Sequence, residues 1–126
     1  MKKIFETSNA PAPIGPYSQA VALNGTLFMS GQIAINPESG ELVLDSIEAE
    51  THQVMKNIEA VLTEAGSTFN DVIKCSIFLS DMGNFGRVNE VYGSYFSSDF
   101  PARECVQVSV LPKNVNVEIS VIAQIQ

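Results

Sequence analysis

Residues 45–79, DSIEAETHQVMKNIEAVLTEAGSTFNDVIKCSIFL, change their hydrophobic period halfway along, and that change decides the fold class. In the first part Ile47, Val54, Ile58, Val61, Leu62 and Ala65 recur at three- and four-residue spacing. One apolar stripe results, predicting a helix over 46–65. Asp45 followed by Glu48 resembles a capping box, and Gly66 stands where a helix-ending glycine belongs. From Val72 to Leu79 the period drops to two. Ile73, Cys75, Ile77 and Leu79 fall on one face, with Val72, Lys74, Ser76 and Phe78 on the other. That pattern predicts a strand.

Upstream, residues 9–16 (Asn-Ala-Pro-Ala-Pro-Ile-Gly-Pro) hold three prolines, which remove backbone donors and exclude a helix. Two β-type runs follow, Tyr17–Leu23 and Leu27–Ile35. Asn24-Gly25 joins them as a hairpin, because both residues tolerate positive φ. Pro37, Ser39 and Gly40 make a turn before the short run Leu42–Leu44. Downstream, a second helix is expected over 84–97, burying Phe85, Val88, Tyr92, Tyr95 and Phe96. Arg103–Leu111 and Val117–Ile125 read as two antiparallel strands around a turn at Pro112–Asn114. Right-handed crossovers place both helices on one face of a mixed sheet, giving an α+β domain. The valine-rich parities of the last two strands should meet the helices. The other parity, mixing Cys, Gln, Ser and Ile, suits a protein–protein interface.

The chain has 126 residues, enough for one domain spanning 1–126. A formal charge of −7, with seven Lys and Arg spread along the chain, disfavours phosphate-tracking partners such as RNA or DNA. No apolar run approaches the roughly 20 residues that span a bilayer. Met1-Lys2-Lys3 leads at once into Glu6, Thr7, Ser8 and Asn9. This predicts no export leader and a cytoplasmic protein without membrane partners. The single histidine, His52, has no ligand cluster around it, so no metal site is expected.

Only two arginines exist, Arg87 and Arg103. Parity puts Arg103 and Cys105 on one face, and Glu118 on the polar parity of the next strand. If the register of that hairpin keeps the parities together, a guanidinium, a thiol and a carboxylate share one side of the sheet. Arginine offers a planar fork matched to a carboxylate, and glutamate offers a base. On residue type alone such a pair reads first as a cross-strand salt bridge and Cys105 as a packing residue. A catalytic pair is the sharper alternative. Tyr17, aimed by Gly15-Pro16, fits a pocket wall or simple packing.

Four collinear segments add a resemblance. Ile14-Gly-Pro-Tyr17-Ser-Gln, Ser30-Gly-Gln-Ile33, Phe100-Pro-Ala-Arg103 with Cys105, and Leu111-Pro-Lys followed by Val117-Glu-Ile are similar to the Rid family (also YjgF or L-PSP), closest to its RidA branch. The resemblance implies a chorismate-mutase-like fold, assembled as a homotrimer around a central barrel with active sites in clefts between subunits. It implies a cofactor-independent deaminase for 2-iminopropanoate and 2-iminobutanoate, the tautomers of 2-aminoacrylate and 2-aminocrotonate. Arg103 would grip the substrate carboxylate and Glu118 would activate water. Tyr17, Ser30, Gly31, Asn89 and Cys105 would contribute to binding. Glu104 departs from the Ser or Thr common at its position, and strand alternation points it away from Arg103. Two rival functions stand beside it: a trimer that binds small carboxylates through the same arginine without turnover or need of Glu118, and an endoribonuclease or translation inhibitor, which the net charge of −7 disfavours.

Overall fold

The computed structural model describes residues 1–126. Six strands, β1 (Lys3–Phe5), β2 (Ala20–Leu23), β3 (Thr26–Met29), β4 (Val72–Leu79), β5 (Ala102–Gln107) and β6 (Val117–Gln124), form one sheet in the order β1-β2-β3-β6-β4-β5. Two helices, α1 (Ile47–Glu64) and α2 (Phe85–Gly93), cross between strands. The mixed α+β class stands as expected. Neither helix is long and apolar enough to cross a membrane.

The core lies between the helices and one face of the sheet. From α1 it takes Val54, Met55, Ile58, Val61 and Leu62; from the sheet, Leu27, Cys75, Ile77, Leu79, Val117, Ile119 and Val121. The opposite sheet face is open. Ile4, Phe28 and Val106 are exposed on it, and Phe78 and Ile122 only half-buried. Of the parity predicted to be an interface, only the β6 part, Glu118, Ser120 and Ile122, lies on this uncovered face.

Asn24 and Gly25 form the hairpin turn as predicted, with φ of 52° and 80° and Leu23 paired to Thr26. The flanking strands are shorter than their apolar runs. Beyond Met29 the chain continues only through isolated bridges, Gln32 to Ile119 and Ile35 to Leu42. Strand β1 lies in a segment that was not read as a strand.

Helix α1 begins one residue later than the capping-box reading required. Ser46, not Asp45, is the N-cap, accepting from Ala49 N at 3.0 Å. Gly66 ends it with φ of 74°: Gly66 N donates to Thr63 O and Ser67 N to Leu62 O, closing the last carbonyls. A true capping box sits further on, where Thr68 and Asp71 satisfy each other's backbone before β4.

Three expectations fail, each for a local reason. A bulge between Val72 and Lys74 throws Ile73 into solvent and buries Val72 in its place. Helix α2 stops at Gly93, and i→i+3 turns carry the chain on to the buried Phe96; Val91 is buried while Phe85 lies exposed at the helix start. Most consequentially, β5 and β6 do not pair. Strand β5 runs parallel to β4 at the sheet edge, and β6 inserts antiparallel between β3 and β4. The valine parity of β5, including Val106, faces the open side, and Arg103, Cys105 and Gln107 take the helix side opposite Cys75, Ile77 and Leu79.

Candidate functional site

This topology separates the two residues that parity had grouped. Arg103 pairs with Cys75 on the face that carries the helices; Glu118 pairs with Phe78 on the open face. Each lines its own cleft, and the two clefts share no residue.

The first cleft, of about 360 Å³, has Glu118 at its base. Gly31 stands against that carboxylate, and a Cβ at this position would collide with it. Only a residue without a side chain leaves Glu118 where it is. Tyr17, Ser30, Gln19 and Gln32 supply polar edges, while Pro11, Ile14, Ile33, Ile35 and Pro112 supply apolar walls. The walls withdraw water, and burial raises the Glu118 pKa above the ordinary carboxylate value. Tyr17 is set by the Gly15 turn: its N–H donates to Gly15 O at 2.9 Å, and its ring is half-exposed over the cleft. Ser30 Oγ donates to Ser18 O at 2.6 Å, so its hydroxyl is engaged with backbone. Gln19, 2% exposed, binds the lead-in segment at Thr7 and Pro11, which makes that segment a wall.

The second cleft, of about 340 Å³, holds Arg103 with Asn89, Tyr92, Gly93, Phe100 and Pro101. Arg103 Nη1 donates to Asn89 Oδ1, and the guanidinium carbon lies 5.2 Å from the Tyr92 ring centroid and 5.5 Å from that of Phe85. Two rings and an amide hold the fork in place, so binding an anion would require little further ordering. Cys105 shares this face but packs against the core, and burial raises its thiol pKa, which keeps it in the less reactive form. Glu104 points the other way, as alternation predicted. It pairs with Lys74 at 3.0 Å and accepts from Ser76. A third cavity, of about 350 Å³ between Phe69 and Tyr95, contains none of the expected residues.

Tyr17, Ser30, Gly31 and Glu118 thus come together in one half, and Asn89 and Arg103 in the other. Phe85, expected in the core, is exposed, while Tyr92 is buried in the core as expected and also offers its ring to Arg103. Their spacing around Asn89 already placed all three on one helical face, a signal that pointed to the arginine's seat. The apolar walls and the Gln19 clamp carried no sequence signal.

Comparison with known proteins assigns a family. A sequence profile described as Endoribonuclease L-PSP matches residues 7–125. The 2-iminobutanoate/2-iminopropanoate deaminase of Mus musculus is 46% identical over 123 residues, covering 98% of this chain and 91% of the mouse protein. A crystal structure of a conserved Rid-family protein from Yersinia pestis superposes with a TM-score of 0.97 at 52% identity, covering 99% of this chain and 100% of its own. That of E. coli TdcF with bound serine superposes with a TM-score of 0.94 at 39% identity, covering 98% and 99%.

Proposed function

Because this chain belongs to the Rid family, whose profile is described as Endoribonuclease L-PSP, we propose that it is a cofactor-independent deaminase of small 2-imino acids such as 2-iminopropanoate and 2-iminobutanoate. The observation that carries this reading is Glu118: a carboxylate held against Gly31 in an apolar-walled cleft, its pKa raised by burial alone. A base of that kind, near a guanidinium that fixes the substrate carboxylate, suits addition of water to an imine.

In this mechanism Arg103 grips the carboxylate with its fork. Glu118 accepts a proton as water oxygen bonds to the imine carbon, giving a carbinolamine. That proton goes on to the nitrogen, which has taken up the C=N π pair. The hydroxyl proton then passes through Glu118 to nitrogen as the C=O bond forms and the C–N bond breaks, releasing ammonia and leaving a 2-keto acid. The imine is already electrophilic, so orientation and one general base supply the acceleration. Because the two clefts lie on opposite faces of one sheet, the working site joins Arg103 of one copy to Glu118 of another, in a homotrimer closed through the open face. The amino acid bound by E. coli TdcF, serine, is of the size and charge this site would take. The ribonuclease description fits poorly with a net charge of −7.

The test couples the protein to a serine or threonine dehydratase in the presence of semicarbazide, which traps the imine as an absorbing semicarbazone. Wild type should suppress that signal. Arg103→Ala should abolish the suppression, and Glu118→Gln should reduce it by about 100-fold. A wild-type protein that leaves the signal unchanged with both dehydratases overturns the deaminase reading. Suppression that is untouched in Glu118→Gln removes the base from the mechanism.

A further inference from the structure

Three polar side chains of α1 are almost wholly buried; Thr51 bonds back to its own helix at Ile47 O, while Glu50 and Asn57, each 1% exposed, reach beyond it. Burying a carboxylate costs several kcal/mol unless donors replace the lost water. Glu50 has three such donors. Asn116 N at 2.7 Å and Val117 N at 3.1 Å reach one oxygen, and Asn116 Nδ2 at 2.8 Å reaches the other. These donors belong to the two residues that precede Glu118. Asn57, two turns further along the same side of the helix, donates to Ile33 O and Ile35 O, both at 3.0 Å. Ile33 and Ile35 are walls of the Glu118 cleft.

From these contacts we infer that α1 is a positioning element for the Glu118 half of the site, with Glu50 fixing where β6 begins and Asn57 fixing the facing wall. The inference rests on the reading of Glu118 as the base. Strand side chains alternate, so a one-residue slip of β6 would turn Glu118 from the open face into the helix side. The ladder with β4 holds β6 from Val117 onward on one side, but the start of the strand has no such partner on the β3 side. Lys113 and Asn114 both take φ of 56°, and the first ladder bond toward the β3 side of β6 is made only at Ile119, with Gln32. Val117 N–H points to that same side and would be orphaned without the Glu50 carboxylate. Ser80 N, donating to Asn116 O at 3.1 Å, holds the same residue from the other side.

A double-mutant cycle separates positioning from bulk stability. Glu50→Gln keeps the size of the side chain but turns an amide NH2 donor toward N–H donors. With kcat and KM measured by the semicarbazide assay on folded protein, Glu50→Gln should lower kcat about 10-fold and leave KM within about twofold. In a Glu118→Gln background the same change should cost nothing further, because Glu50 acts only through Glu118. Full kcat in Glu50→Gln, or the same fractional loss in both backgrounds, overturns the proposal. An unaltered kcat in Glu118→Gln alone overturns the base assignment and this inference with it, a different and recognisable result. If Glu50→Gln yields little folded protein, Asn116→Ala removes the side-chain bonds to Glu50 and Ser80, leaves both backbone donors on Glu50, and is judged by the same cycle, with a smaller loss.

Discussion

At Glu118, chemistry and stability pull in opposite directions. Desolvation raises its pKa, and no cation or donor offsets the effect. A carboxyl whose folded pKa exceeds its unfolded value binds its proton more tightly in the folded state. Folding is therefore most favourable below the unfolded pKa, where both states are protonated. Stability falls as pH rises from there through the folded pKa. Replacing the group with a neutral isostere should remove that loss. Glu118→Gln is expected to melt at a higher temperature than wild type at pH 7, with the gap closing below about pH 4. Thermal melts of both proteins between pH 3.5 and 8 measure this; a variant that melts lower at pH 7 would show that the carboxylate is stabilising where it stands. If Glu118 is the base, the same raised pKa should place the acid limb of the proposed deamination above the ordinary carboxylate range. Arg103 shows the opposite economy: Asn89, Phe85 and Tyr92 hold it without burying it.

At the scale of elements, the C-terminal strands explain what could be read from the chain and what could not. The period of β6 was correct: Val117, Ile119, Val121 and Ala123 are all buried. Its neighbours were not legible, because alternation reports a strand's faces and is silent about its edges. In retrospect the composition favours the observed order. Residues of β6 between its buried valines and isoleucines are themselves half-buried, as a central strand requires, whereas Arg103, Glu104 and Gln107 suit the edge position of β5. The named site residues were legible through their motifs, but their division between two faces depended on this strand order. Helix α1 was the most legible element, and its end rests on one residue. Gly66 has φ of 74° with open space around it, so an alanine there would be strained by its backbone and not by a clash. Gly66→Ala should therefore cost about 1 kcal/mol in urea unfolding, with the slope of the transition unchanged. A neutral effect would mean that the helix can end without the left-handed residue.

For the whole molecule, the separation of the two clefts is what the proposed assembly would resolve. One chain leaves Ile4, Phe28 and Val106 exposed on a sheet face with no helix over it, around a polar centre of Lys74, Glu104 and Ser76. Covering that face with further copies removes apolar surface from water and can bring an arginine cleft to a glutamate cleft. If the site is composite, two inactive proteins should repair one another. Arg103→Ala supplies an intact Glu118 half, and Glu118→Gln supplies an intact Arg103 half. Mixed in equal amounts and allowed to exchange subunits, they should regain up to about a quarter of the wild-type activity, since one junction in four then joins two intact halves. Each protein refolded alone should stay inactive, and light scattering should give the same trimeric mass for all three samples. A mixture that exchanges subunits yet remains inactive would mean that both residues serve a site within one chain. The opposite placement of Arg103 and Glu118 on the sheet argues for recovery, because in a single chain they line separate clefts.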